Sequence, residues 1–222
     1  MKSITLEKLL EVGAHLGHQA KRWNPKMGKF LYGVKEGVSV FDLAKTKEAL
    51  EEALDVLKKA KKAGKVILLI GTKKQAKEKV EEVAKAAGFP YIVERYLGGT
   101  LSNFDQIQRS IKKIKDLKAQ FAAGEYGDYT KKEKLLLSRK IAKMEIIYGG
   151  IMTMTNLPDM LFVVDTHKEI GAVKEAKRLK IPVVGLTDSN ADPDMVDYSI
   201  PMNDDAAAAL TYVLDLVKDA LK

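Results

Sequence analysis

At 222 residues and 24.6 kDa, with 46% hydrophobic and 31% charged residues, the chain has room for one globular domain with an insertion, or two small ones, around a proper core. Cysteine is absent, which excludes disulfides, thiolate zinc sites and cysteine nucleophiles. The formal net charge of +8 is unevenly spread. Residues 109–143 carry eleven basic and four acidic side chains, and residues 144–222 carry seven and thirteen. Such a split predicts a basic face for a polyanion. The longest uncharged run, Ile146 to Pro158, is too short and too broken by glycine to cross a membrane. Met1-Lys2-Ser3 leads into an amphipathic stretch without an apolar signal core, so the expected setting is the cytoplasm.

In chain order, a first helix (Leu6 to Leu10) is followed by loop-rich residues 13–41, in which Phe30–Tyr32 and Val38–Phe41 read as a hairpin around Gly33 and Gly37. Asp42 is placed to cap a helix running to about Ala63, with Leu43, Leu50, Leu54 and Leu57 on one face and Gly64 as its stop. Val66–Ile70 is a continuous apolar run, the pattern of a buried parallel strand. Helix 72–87, strand Tyr91–Val93, strand Met160–Val164, helix 168–179 and strand Pro182–Leu186 repeat the alternation. A weak strand at Ser199-Ile200 and a helix from Asp204 to Leu221 close it. The pattern predicts an α/β fold: a three-layer sandwich of about five parallel strands, Rossmann/flavodoxin-like.

Residues 103–148 break the alternation. Phe104, Ile107, Ile111, Ile114 and Phe121, then Leu137, Ile141, Met144 and Tyr148, fall at helical spacing on either side of the turn-rich stretch Ala123 to Asp128. They predict an inserted antiparallel coiled-coil hairpin that projects from the body, with a narrow apolar seam and basic outer faces. The expected organisation is a sandwich of residues 1–102 and 149–222, with an N-terminal contact loop at 12–29, and a hairpin at 103–148. Gly98-Gly99 and Gly149-Gly150 mark the hairpin's two roots, where tight reversals are expected.

Catalytic signals are thin. Neither phosphate-cradling glycine motif is present, nor a nucleophile elbow or a paired-histidine metal helix. Gly71-Thr72-Lys73-Lys74 either caps its helix or brings a lysine to a phosphate. His15 and His18 lie three residues apart, and Asp188 follows its strand. A loop folded over that sheet edge would bring His18, Asp188 and Asp205 to one divalent ion, zinc or magnesium. No motif requires a cofactor. The segment from His15 to Met27 mixes cations, amides and one indole on a loop punctuated by glycine and proline, a mixture that suits RNA. Its candidate contacts are Lys21, Arg22, Trp23, Asn24, Lys26 and Lys29, and Arg95, Arg109, Lys112 and Lys113 extend the basic set toward the hairpin.

Gly13-Ala14-His15-Leu16-Gly17-His18-Gln19 through Trp23-Asn24-Pro25-Lys26-Met27 resembles the N-terminal signature of the bacterial small-subunit ribosomal protein S-two family. Arg95 to Asn103, Leu157 to Asp165, and Ile181 through Asp188–Pro193 to Ala206 resemble three further signatures of that family, in collinear order along nearly the whole chain. Tyr96 stands where the family usually has Trp, and Thr100 where it usually has Met. The resemblance implies an α/β sandwich with a helical insertion and a structural, non-catalytic role. It also implies binding to small-subunit ribosomal RNA, contact with neighbouring small-subunit proteins and help in holding the mRNA-binding protein S-one. Neither a membrane nor a small-molecule substrate is implied. For S-one, the rings of Tyr96, Phe104 and Tyr148 at the hairpin root are the expected anchor; the same rings would equally serve to cement the hairpin to the sheet. The other reading of the chain is an α/β nucleotide-binding protein or enzyme that shares only the sheet.

Overall fold

In the computed structural model the described residues are 4–127 and 129–222; Met1-Lys2-Ser3 and Asp128 of the predicted turn lie outside them. The chain runs α1 (Leu6–Glu11), β1 (Leu16–Gln19), β2 (Leu31–Lys35), β3 (Val38–Phe41), α2 (Leu43–Lys62), β4 (Ile67–Ile70), α3 (Lys77–Ala87) and β5 (Tyr91–Ile92). It continues with α4 (Phe104–Ala122), α5 (Lys131–Tyr148), β6 (Met160–Val163), α6 (Ile170–Arg178), β7 (Val183–Thr187), β8 (Tyr198–Pro201) and α7 (Ala207–Ala220).

The five strands β4 to β8 form one parallel sheet in the order β5-β4-β6-β7-β8. This is the order of a doubly wound fold, with its switch point between β4 and β6. Each central strand is buried on both faces, as its unbroken apolar run predicts. Ile67, Leu69, Met160, Phe162, Val184 and Leu186 point into a core shared with α1, α2, α3 and α7. Leu68, Ile70, Leu161, Val163 and Val183 point to the opposite face, against α4 and α6. Period-2 alternation thus separates two cores on one sheet, and the sandwich has three layers.

Several expectations shift at their edges. Asp42 caps α2 as predicted, its carboxylate accepting from the Ala44 N–H at 3.0 Å. Helix α3 starts only at Lys77, because residues 72–73 are drawn away into side-chain contacts described below. Residues 12–29 are not a loop throughout. They contain β1 and two short 3-10 turns, Ala20–Arg22 and Pro25–Phe30, and β1 joins the β2–β3 hairpin in a separate antiparallel sheet of order β1-β3-β2. We call residues 14–41 the arm.

Helices α4 and α5 occupy the predicted insertion, joined by a Lys118–Glu145 ion pair at 2.5 Å. A capping box between Thr130 and Glu133 starts α5. Ile107, Ile111, Ile114 and Ile141 are buried, but Ile107 and Ile111 belong to the core beneath the sheet. The root half of α4 is therefore packed on the sandwich. Farther out, Phe121 is partly exposed, with its ring 6.4 Å from that of Tyr126.

Candidate nucleic-acid interface and carboxylate cluster

The C-terminal edge of a parallel sheet gathers the loops that follow its strands, and ligands of doubly wound folds sit at the switch point. Here that place is filled by the protein itself. Lys73, from the loop after β4, reaches Asp165 after β6 at 3.1 Å and Asp204 and Asp205 before α7 at 2.5 and 2.6 Å. Burial alone would lower the Lys73 ammonium; the Asp204 and Asp165 carboxylates outweigh it and hold it above its ordinary range. Burial beside Asp188 and Asp165 pushes Asp204 up to about 8, against the opposing pull of the Lys73 ammonium. Lys73 is therefore not poised over a phosphate, and Thr72 does not cap α3; its hydroxyl donates to Glu169. The phosphate reading of residues 71–74 is corrected by this cluster, which sequence spacing did not disclose.

The arm folds over the same edge. The N–H of His18 donates to the Ser189 hydroxyl at 2.8 Å, and the N–H of Asn24 to the Ser189 carbonyl at 2.7 Å. Gly17 has to be glycine at this crossing: a Cβ would lie 2.8 Å from Ser189 Oγ and 3.2 Å from the Ser39 carbonyl. The crossing carries His18 to the aspartates, with Nδ1 3.0 Å from Asp188 Oδ1 and Nε2 3.5 Å from Asp205 Oδ2. The hydrogen bond to Asp188 raises the imidazole above its usual value against the opposing effect of burial. Burial would raise Asp188, but His18 and the N–H groups of Asp204 and Ser189 hold it below the usual carboxylate range. His18, Asp188 and Asp205 can offer one ligand atom each within 4.8 Å of one another. Asn190, 3.4 Å from His18 Nε2, keeps a buried and unpartnered Oδ1. His15 is not part of this group.

The other sequence-predicted residues fall into two sets. In the arm, Lys26 is held by Asp192 and Asp194 at 2.8 and 3.2 Å, and Lys29 lies 3.6 Å from Asp194. Asn24 caps a 3-10 turn by accepting from the Lys26 N–H, and the Trp23 ring rests against Gly28. Lys21 and Arg22 make no ion pair among the described residues. The second set is freer. Arg95, Arg109, Lys112 and Lys113 have no carboxylate partner among the described residues. Arg109, Lys112 and Lys115 line a groove of about 630 Å³ between α4 and residues 152–155, with Asp105 and Asp116 as its acidic members.

The hairpin root is a tight joint. Glu175 on α6 accepts from the N–H groups of Gly99, Leu101 and Ser102 at 2.6 to 3.0 Å and from the Tyr96 hydroxyl at 3.0 Å. Tyr96, Phe104 and Tyr148 are half-buried against the sheet-side core, so the three rings cement the hairpin. Of the predicted glycine reversals, Gly99 has φ +90°. Gly150 serves differently: a Cβ there would lie 2.1 Å from the Tyr91 carbonyl oxygen, so the chain passes too close to β5 for any side chain.

Comparison with known proteins agrees with this architecture. The sequence model of the family described as Ribosomal protein S2 matches residues 9–222. The small ribosomal subunit protein uS2 of Coprothermobacter proteolyticus is 46% identical over 221 residues, covering 100% of this chain and 82% of that protein. The uS2 proteins of a Nitratiruptor species and of Amoebophilus asiaticus are 47% and 44% identical, covering 93% and 100% of this chain and 78% and 71% of their own lengths. With the family model spanning residues 9–222 and these relatives matching 93% or more of this chain, the chain belongs to the ribosomal protein S2 family.

Proposed function

We propose that the chain is a structural constituent of the small ribosomal subunit and binds ribosomal RNA through the flank of α4 and the hairpin root. The S2 family is a structural rather than a catalytic one, and the nucleotide-site position of this sheet is filled by Lys73 and its carboxylates. The observation that carries the RNA reading is the set of cations without a carboxylate partner among the described residues, Arg109, Lys112 and Lys113 on α4 together with Arg95. Cations without internal partners are the ones free to release counterions from phosphates. We place the RNA surface there because Lys26 and Lys29 of the arm are already engaged by aspartates. In this reading residues 103–148 act as an appendage on a sandwich of residues 1–102 and 149–222. The test is co-sedimentation: the protein travels with small subunits and leaves them only as salt rises. Free protein at the top of a low-salt gradient overturns the assignment.

Neighbouring small-subunit proteins and S-one complete the proposed partners. Leu135, Leu136 and Ile146 are exposed on α5 and support a protein contact on the hairpin. Subunits whose copy lacks residues 106–146, bridged by a short glycine linker, should retain less S-one; normal retention would put its docking site on the sandwich alone.

A second reading is favoured by the arrangement of His18, Asp188 and Asp205. Four carboxylates there face one lysine and one imidazole, and Asn190 Oδ1 lacks a partner among the described residues. We propose that one divalent ion, zinc by its imidazole ligand or magnesium by its oxygens, is held by these residues and fastens the arm to the sheet edge. Metal content should fall in the His18→Ala protein; equal content in both samples removes the site.

A further inference from the structure

The groove beside α4, about 630 Å³ in volume, falls in the size range of small-ligand sites. One wall is a stripe of the helix, since Asp105, Arg109, Lys112 and Asp116 follow one another at spacings of four, three and four. The opposite wall is residues 152–155, which link the hairpin's return to β6. Gln108 ties the two walls together, its side-chain amide donating to the Thr155 carbonyl. The floor is apolar: Ile111 and Met154 are buried and Met152 is half-buried.

The charges in this groove have both signs and stay apart. Asp105 and Arg109, and likewise Lys112 and Asp116, stand four residues apart, the spacing at which a helix lets opposite charges pair. Neither pair closes to ion-pair distance, and none of the four has another charged partner among the described residues. The hydroxyls of Thr153 and Thr155 are exposed and equally without a hydrogen-bond partner there. A run of phosphates would call for cations alone, and an acidic peptide would be repelled by the two carboxylates. Cations, carboxylates, hydroxyls and an apolar floor in one groove match a single nucleotide, with its phosphate, its ribose and an unstacked base.

We propose that the groove receives one unpaired guanine nucleotide of the bound RNA. This rests on the RNA reading of α4 given above and names what that surface recognises. Lys112 and Lys115 take the phosphates, the threonine hydroxyls face the ribose, and the face of the base lies on Ile111, Met152 and Met154. Asp105 is at the end of the groove away from those two lysines, about 10 Å along the helix from Lys112. A carboxylate only accepts hydrogen bonds, and guanine alone has two adjacent donors, N1–H and the N2 amino group, on its Watson–Crick edge. Adenine and cytosine set one amino group beside an acceptor nitrogen, and uracil sets its N–H between two carbonyls. Each of these would turn a lone pair toward Asp105.

The experiment titrates the intact chain with four RNA hairpins, identical except for a single bulged G, A, C or U. The methyl groups of Met152 and Met154 report occupation of the groove, because a base laid on them shifts their NMR signals. The G-bulged hairpin should bind about tenfold or more tighter than the other three and move both signals. Asp105→Asn, at an exposed position, should bring the G-bulged hairpin down to the level of the others with the unfolding temperature unchanged. Asp116→Asn should keep the preference for G. Gln at Lys112 and Lys115 should weaken all four hairpins alike and flatten the salt dependence. Equal binding of the four hairpins with the salt dependence intact overturns the guanine site and leaves the RNA reading of α4 standing, whereas binding of none overturns both. A preference for G that survives Asp105→Asn, or that leaves the Met152 and Met154 signals in place, also overturns the proposal.

Discussion

Two regions of this molecule are dense in charge and treat it in opposite ways. At the sheet edge, carboxylates from three loops converge on Lys73 and His18 and are paired within the protein. On the flank of α4, Arg109, Lys112 and Lys113 have no such partners among the described residues. The first arrangement holds the fold together, and the second is left for something outside it. Charge counts along the sequence register both regions equally; only pairing distinguishes them. If the distinction is right, substitutions in the first region change stability and substitutions in the second change binding.

The largest expected effect is at Lys73. Lys73→Met removes the cation and leaves Asp165 and Asp204 buried without it, which should lower unfolding free energy by about 3–5 kcal/mol in urea titrations. A loss below about 1 kcal/mol would mean that the carboxylates are solvated and the contrast between the regions is false. Next comes Gly150→Ala, which forces a methyl group into the Tyr91 carbonyl and should cost about 1–3 kcal/mol. Gly149→Ala is its control, because a Cβ there meets nothing within 4 Å.

A smaller effect belongs to Glu175. Burial would raise this carboxylate, but the N–H donors of Gly99, Ser102 and Leu101 outweigh it and hold it below its ordinary value. A group lowered by folding stabilises above its unfolded pKa, and that contribution disappears as pH falls through the folded one. The hairpin root should therefore loosen in acid, below the ordinary carboxylate range. Amide exchange at Gly99, Leu101 and Ser102 measures this, and Glu175→Gln should accelerate exchange at neutral pH and remove its acid dependence. Exchange insensitive to both would mean that Glu175 does not hold the joint.

The smallest effect on stability should come from Gln at Arg109, Lys112 and Lys113 together, within about 0.5 kcal/mol of the parent. The same protein should lose about 0.7 to 0.9 in the salt slope of log K for each phosphate contact removed. An unchanged slope with unchanged affinity would take α4 out of the RNA surface.

The sheet was legible because its strands are buried on both faces and so read as bare apolar runs, as at Ile67–Ile70 and Met160–Val163. β1 was not legible. Leu16-Gly17-His18-Gln19 has no alternation and a single large apolar residue, and it is a strand because β3 and Ser189 hold it there. The meeting of His18 with Asp188 and Asp205 could be anticipated, since a residue following a parallel strand must lie at the C-terminal edge. Lys73 could not, because a lysine after a glycine at a helix start looks the same whether it awaits a phosphate or pairs with three aspartates. In the hairpin, the 3/4 spacing of Ile107 and Ile111 was visible, but spacing does not say whether a stripe meets a partner helix or a sheet. Glu175 gave no signal at all: its four donors come from residues 96–102, some 75 positions earlier in the chain.

The arm's attachment has a consequence for the order in which the molecule is made. His18 bonds to Ser189 across 171 positions, and Gly13 to Asn203 across 190. An earlier-made segment thus closes on one made 171 to 190 residues later. At about 5–20 residues per second, roughly 10–40 s separate the two. Through that interval the arm has its own three strands but nothing to dock on, and Leu16, Tyr32 and Val34 are exposed even in the finished fold. Contacts of such range also make closure slow relative to local helix formation. The arm therefore passes a long interval of biosynthesis without its final neighbours, an interval in which any factor guarding the nascent chain has time to act.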